Sequence, residues 1–407
     1  MEEELNKRPS STYLYCIYDM EVSPCSYDFL TFLYTAEVCR IRRKLEKIKL
    51  YIVKATHGDF RQDSLRSTIQ NENYFNNVII PGISLLGSCV SFSWSSREEL
   101  AWLNVTNATQ IFPRGYSVAN PTAEYVGREL VASKVRGDKI AAFKAPEYAE
   151  KLAKKFHQSL DGKNFITVTL RELEREDPDD IRKMKIDVWK SIFKKIQEMG
   201  IVPVIIRDTQ NVFNEPLFED AVELSLASLH LPFRVAIYEK ALLNFIKTNG
   251  PIVTLLFGNA PSIIMFEPDN KNFSTSDNWF IEKFGMVRGS QFPMQTKNTI
   301  CIWGSENESL ITDLIEISKQ NLVPFDSGDE FNNEDNLLAS LNTAISHLLG
   351  CLQFNILEED VSLFKAIKAK ISVVAPDFDL IGLVKESTSI AADAKANFFR
   401  LAQKCDS

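Results

Sequence analysis

The 407-residue chain is 45% hydrophobic and 25% charged, with a net charge of −8. That length fits two or three domains, and the apolar content suffices for a core in each, which excludes a globally disordered chain. The acidic balance excludes nonspecific nucleic-acid binding, which needs a basic face for the phosphates. The first residues, MEEELNKRPSS, are polar and fit no secretory signal, and no run approaches ~18 uninterrupted apolar residues, so no transmembrane segment is expected. The seven cysteines are scattered and form no CxxC pair, which reads as reduced thiols in a cytoplasmic protein. Four Asn-x-Ser/Thr sequons, at Asn104, Asn107, Asn272 and Asn307, are then chance matches.

In chain order, residues 12–18 read as a strand, 19–26 as a loop and 27–44 as a helix with Phe29, Leu30, Phe32, Leu33, Ala36 and Val38 at roughly helical spacing. A second strand at 49–53 completes a β-loop-α-β unit and implies parallel pairing. Short strands are expected at 78–80 and 89–92, a loop at 112–121 and a helix at 144–161 stopped by Gly162. The second domain opens with an apolar strand, an amphipathic helix and another strand over 164–209. It continues with one helix at 231–248, stopped at Asn249–Gly250–Pro251. Strands follow at 252–257, 262–266 and 299–303, with an irregular stretch at 274–289 and a helix at 308–320. From residue 334 onward the chain reads as helical. The expected fold class is α/β: two Rossmann-like β/α domains, residues 1–150 and 151–325, facing across a cleft, with a helical tail at 326–407 left to pack back on the body or to serve an oligomer contact.

Common chemical signatures are missing. There is no GxxxxGK[ST] loop, no GxGxxG after a strand and no GxSxG elbow. His57, His157, His230 and His347 lack metal-ligand spacing, and no metal is expected. Asp177-Pro-Asp179-Asp180 reads as a helix-capping turn rather than a metal motif. What stands out is an arginine–carboxylate pair at the end of each strand in 164–209: Arg171–Glu172 and Arg207–Asp208. In a parallel sheet, ligands bind just outside the carboxyl ends of the strands. A guanidinium can grip a diphosphate with two parallel donors and offset charge growing on a leaving nucleotide diphosphate. Asp208 can accept hydrogen bonds from ribose or sugar hydroxyls. Arg175, Asn249, Gly250, Asn259 and Ser262 complete the candidate donor-binding set, the last four from loops whose small residues leave room for a ligand. Asp19 and Glu21, after the first strand, are the candidates for a base that deprotonates an acceptor hydroxyl. His57, Asp59 and Arg61, after the second, raise the same possibility. For each of these, a solvated salt bridge, a turn or a helix stop is the competing structural explanation.

The segments ITVTLRELER, VPVIIRDT and RVAIYEKALLNFIKTNGP resemble the second domain of GT-B-type glycosyltransferases, in particular bacterial proteins of surface-polysaccharide or flagellar sugar modification. YDMEVSPCSYDFLTFL and FPRGY are similar to the same group. More distantly, the arginine of VTLRE resembles the fucosyltransferase arginine that contacts the sugar-nucleotide diphosphate, a role that falls on Arg171 alone. The chain departs from that pattern at Thr169, where a histidine would stand, and at Glu172, where a second arginine would follow. The resemblance implies a glycosyltransferase that moves a sugar from a nucleotide diphosphate to a hydroxyl of a glycan or protein acceptor. It would use no cofactor and no bound metal. The rivals are a nucleotide-sugar epimerase on the same scaffold and a noncatalytic, degenerate transferase that binds a partner.

Overall fold

The computed structural model describes residues 12–62, 67–100, 108–139, 142–172, 184–268, 276–292, 295, 298–319 and 334–406. The chain divides into two compact units. One comprises Met1–Glu72, Leu86–Ala141 and Ser340–Ser407; the other comprises Asn73–Leu85 and Ala142–Ala339.

In the first unit, β1 (Tyr13–Asp19), β2 (Lys47–Val53), β3 (Cys89–Ser95) and β4 (Ile111–Phe112) form an all-parallel sheet in the order β3-β2-β1-β4. Parallel neighbours need a crossover, and the helix Asp28–Arg42 supplies the one from β1 to β2. Every residue of that helix from Phe29 to Cys39 is buried, so it is an internal helix rather than an amphipathic surface one. Tyr18 packs edge-on against Phe29 and Phe32, with centroids 5.0 and 4.9 Å away.

The last helices, Glu358–Val374, Leu380–Glu386 and Ala392–Asp406, belong to this first unit. The sequence reading left residues 326–407 to pack back on the body or to serve an oligomer contact; from Ser340 on they group with the β3-β2-β1-β4 sheet. A buried ion cluster ties Glu359, at the start of Glu358–Val374, and His347 to this unit. Arg42 Nη1 donates to Glu129 (2.5 Å) and Asp138 (3.2 Å), and Arg42 Nε and Arg43 Nη2 donate to Glu359 at 3.0 and 2.8 Å. Arg136 reaches Glu129 at 2.8 Å, and His347 pairs with the second oxygen of Glu129. Burial works to raise the carboxyl pKa values here, but the guanidiniums outweigh it: Glu129 is held well below the usual range, and Glu359 falls to about 2. Burial likewise works against a charged His347, yet Cys351 and Glu129 raise its pKa well above the ordinary value.

The second unit has six parallel strands: β5 (Phe165–Thr169), β6 (Val202–Ile206), β7 (Val222–Glu223), β8 (Leu243–Lys247), β9 (Ser262–Phe266) and β10 (Thr299–Trp303). Their order is β10-β9-β8-β5-β6-β7. Counted from β5, this is the Rossmann order 3-2-1-4-5-6. The expected α/β class with two Rossmann-like sheets therefore holds. β5, β8 and β9 are buried at every position, as befits strands covered on both faces. Their polar members are satisfied: Thr167 Oγ1 donates to Asn244 Oδ1 at 2.6 Å, and Asn244 Nδ2 donates to two backbone carbonyls. The crossover helix Ile186–Glu198 buries Trp189, Ile192, Phe193 and Ile196, one stripe at helical spacing. Trp189 meets Phe245 of β8 at 5.5 Å. Each such side chain contributes about 1.5–3 kcal/mol by leaving water.

Four expected elements differ. Residues 231–248 are not one helix: the helix Leu231–Lys240 ends where Ala241 turns extended, and β8 follows. Residues 252–257, expected as a strand, form the short helix Ile252–Leu256. Residues 78–80, also expected as a strand, lie in the helical stretch Phe75–Ile79 and Ile80–Gly82. The irregular stretch at 274–289 contains the helix Asp277–Phe284, capped by Ser276 Oγ on the Trp279 N–H. Short apolar runs fit either state by pattern alone.

Glu124 lies beside the ion cluster with a buried Oε1 that has no hydrogen-bond partner among the described residues, and burial pushes its pKa up to about 7. Folded, it keeps its proton to about pH 7; unfolded, only to its ordinary 4.5. Its contribution is therefore complete below pH 4.5 and is lost as pH rises through 7. Glu124→Gln fixes the neutral form. Its stability advantage over the parent chain, read from melting curves, should grow by up to about 3 kcal/mol between those pH values; a flat difference would show that Glu124 titrates normally.

Candidate functional site

In a sheet of Rossmann order the crossover helices part on either side of the point where the strand order reverses, and a ligand crevice opens at the carboxyl ends there. In the second unit that point lies between β5 and β8. Thr169 pairs with Ile246, so Arg171 and Thr248–Asn249 emerge side by side. Arg171 Nη1 donates across the junction to the Thr248 carbonyl at 3.2 Å. Asn249 follows immediately. It is only 8% exposed, and neither its Nδ2 nor its Oδ1 has a hydrogen-bond partner among the described residues. A buried amide without partners costs about 1–3 kcal/mol. A buried donor and acceptor left without partners at a strand-order reversal make Asn249 a candidate ligand contact.

The neighbouring strand tips are locked by ion pairs. Arg207 donates from Nε and Nη2 to both oxygens of Glu172, the shortest contact being 2.6 Å. Its Nη1 reaches the Asn214 and Glu215 carbonyls and Glu223. Arg207 is thus buried and committed to holding β5, β6 and β7 in register, not offered to a ligand. Asp208 Oδ2 accepts the Glu172 N–H at 2.7 Å. Burial raises the Asp208 pKa, against the Glu172 hydrogen bond and the charges of Arg171 and Arg234.

On the other side, Lys247 is 1% exposed and lies between Glu267 (3.1 Å) and Glu306 (3.2 Å), at the tips of β9 and β10. Lys247, Glu267, Glu306 and Arg234 escaped the sequence reading. The available signal was a lysine inside the apolar run LNFIK, which a strand puts in the interior.

The structure gathers Arg171, Glu172, Arg207, Asp208, Asn249 and Gly250 at one edge of the sheet. Asn259 and Ser262 are elsewhere. Because residues 252–257 are helical, the following loop leads into the amino end of β9, where Ser262 pairs with Asn244 and Thr299. Ser262 is fully buried and donates to the Ala260 carbonyl, and Asn259 is exposed on that opposite edge. Arg175 and the Asp177–Asp180 turn lie outside the described residues.

In the first unit the strand order reverses between β1 and β4. Asp19 ends β1 there, fully buried. Its Oδ1 accepts from Arg97 Nη2 (2.6 Å) and the Glu21 N–H (2.9 Å), and its Oδ2 from the Tyr116 hydroxyl (2.7 Å). Burial first, then the Asp19 charge, pushes the Tyr116 pKa up, so that hydroxyl stays a donor. Arg97 and Tyr116 were not foreseen. Glu21 is exposed, and the Thr56 N–H at 2.6 Å holds its carboxyl below the ordinary range. Arg61 donates to the Val22 carbonyl, Asp59 pairs with Lys54, and His57 is exposed. Among the described residues no cluster of His, Cys, Asp and Glu could hold a metal ion, and no helix is long and apolar enough to cross a membrane.

No protein-family model matches the sequence, and no curated protein matches it. Several solved structures are similar in shape. A glycosyl transferase family 9 protein from Veillonella parvula covers 83% of this chain and 98% of its own, at 10% identity and a TM-score of 0.45. The ADP-heptose LPS heptosyltransferase II of E. coli covers 77% and 98%, at 9% identity and a TM-score of 0.43. The wall teichoic acid polymerase TagF covers 89% and 90%, at 8% identity and a TM-score of 0.29.

Two substitutions separate frame from ligand group. Arg207→Ala strands the Glu172 carboxylate and should cost roughly 3 kcal/mol in urea unfolding. Asn249→Ala removes a partnerless buried amide and should leave the unfolding midpoint unchanged or raised. A midpoint lowered by Asn249→Ala would mean that the amide is satisfied in the folded chain.

Proposed function

We propose that the protein is a glycosyltransferase that binds a nucleotide-diphosphate sugar at the β5–β8 junction of its second unit. The observation that carries this reading is the buried, partnerless Asn249 amide beside Arg171 at the strand-order reversal. Arg171 supplies the planar cation that suits a diphosphate, and Asn249 a donor and an acceptor that a neutral apolar ligand would leave unused. The GT-B resemblance of VTLRE and FIKTNGP falls on these same residues. Glu172, Arg207 and Asp208 form the frame that fixes the β5 and β6 tips. Of the candidate bases Asp19 and Glu21 in the first unit, Glu21 is the exposed carboxylate. The reading needs no metal and no cofactor; the nucleotide sugar is the substrate.

A second reading is a nucleotide-sugar binder without transfer activity. It is favoured by Asp19, whose oxygens are already taken up by Arg97, Tyr116 and a backbone N–H. Product analysis by mass after incubation with donor and acceptor separates the two, since only transfer yields a glycosylated acceptor.

A melting screen against nucleoside diphosphates and nucleotide sugars tests the common core of both readings. A true ligand at ~100 times its dissociation constant should stabilise the chain by about 2.7 kcal/mol. Arg171→Ala and Asn249→Ala should each weaken that ligand about tenfold, the loss of one hydrogen bond to a charged or desolvated partner. A flat response across the panel, or unchanged affinity in both variants, would remove the site.

A further inference from the structure

The first unit contains a cavity of about 510 Å³ that none of the donor chemistry uses. It opens beside the loop that follows β4, at the carboxyl edge where the order of the β3-β2-β1-β4 sheet reverses. One wall is that loop, Arg114 and Gly115. The other comes from the C-terminal segments, Gln353–Asn355 and the helix Ala392–Asp406. The volume is within the range of small-molecule sites, about 300–1,000 Å³.

The walls are fixed. Arg114 donates to Asp360 at 2.6 Å and to the Asn355 carbonyl. The Phe354 ring lies over Gly115 so closely that a Cβ at that position would run into it, and Gly115 has a φ of +74°. Asn397 Nδ2 ties the Leu352 and Phe354 carbonyls at 2.9 and 3.1 Å. The groups that face the opening are not fixed in this way. The side chains of Gln353, Asn355 and Asp393 make no hydrogen bond among the described residues, and Arg400 makes one, to Asn397 at 3.4 Å.

The charge of the lining is balanced. Asp360 neutralises Arg114, and Arg400 shares the rim with Asp393. A phosphate or other strong anion would gain little from such a wall. Two carboxamides, a carboxylate and a guanidinium offer many directional donors and acceptors, and the Phe354 ring adds an apolar surface. That combination suits a ligand that is polyhydroxylated, uncharged and apolar on one face. We propose that this cavity is a saccharide-binding subsite for a neutral glycan. Its identification as the acceptor subsite rests on the transferase reading; its binding of sugar does not.

The test uses the full chain on an array of neutral and acidic oligosaccharides, followed by titration calorimetry with the best-bound neutral one. Ala396→Trp, from the exposed face of the last long helix, fills the cavity. Arg400→Ala and Gln353→Ala remove exposed rim groups with no structural commitments of consequence. Each variant should keep the parent melting temperature, and each should weaken the neutral oligosaccharide at least fivefold, Ala396→Trp most of all. No binding to any neutral glycan, preference for acidic ones, or binding untouched by all three variants would overturn the proposal. The nucleotide melting screen runs in parallel. A nucleotide response without sugar binding sinks the cavity alone, and sugar binding without a nucleotide response sinks the transferase alone.

Discussion

The pairing of β5 with β8 is the constraint on which the second unit depends. All six strands run the same way, so every carboxyl end lies on one edge. Strands added outward from β5 lead to β7 on one side and to β10 on the other, and the crossovers diverge at the junction. The chain then stiffens both flanks with buried charge. Arg207 joins the tips of β5, β6 and β7 through Glu172 and Glu223, while Lys247 joins those of β8, β9 and β10 through Glu267 and Glu306. Asn249 lies between the two clusters and is recruited by neither. A rigid frame around one uncommitted polar group is how a binding site is preorganised.

These ion clusters are better understood as fixing geometry than as adding stability. Removing two charges from water costs several kcal/mol per ion, and their attraction repays this only when further hydrogen bonds complete the shell. Arg207 has that full shell. So does Glu129 in the first unit, which accepts from Arg42, Arg136 and His347 at once. Hydrophobic burial of residues such as Trp189, Phe245 and Leu363 supplies the driving force. The ionic shells decide which helix face docks, because a misdocked helix would leave a bare charge inside.

Much of this was legible in the sequence. Residues 262–266 and 299–303 read as strands because each is a short apolar run between turns, and the structure has strands with those bounds. The Arg–acid pairs were visible as charges closing apolar strands. Two of the misread elements fall at 231–257. There the apolar residues of Leu243–Lys247 continue the helical spacing of the preceding segment, and the β-branched residues of Ile252–Leu256 mimic a strand. Only the sheet settles the matter, since a strand at β8 is needed to bridge β5 and β9. The misreading had a functional consequence: it put Asn259 and Ser262 at the wrong edge. Ion-pair partners far apart in sequence, such as Arg42 with Glu359 or Lys247 with Glu306, carry no local signal at all.

Asp19 and Glu21 divide between them what a single base would need. Asp19 stands at a strand-order reversal, the right place, but Arg97, Tyr116 and the Glu21 N–H already hold its oxygens. Both oxygens of Asp19 are thus engaged in a fully buried setting. Glu21 is open to solvent, but the Thr56 N–H keeps its carboxyl below the ordinary range, which makes it a weak proton acceptor. In a transferase built this way, little of the barrier reduction can come from deprotonating the acceptor. On that reading the leaving group is where a positioned cation would count most. Charge that develops on a departing diphosphate is stabilised by a donor already in position, with no reorganisation at the moment of reaction. On the proposed transferase reading that donor would be Arg171, held by the Thr248 carbonyl beside the unspent amide of Asn249.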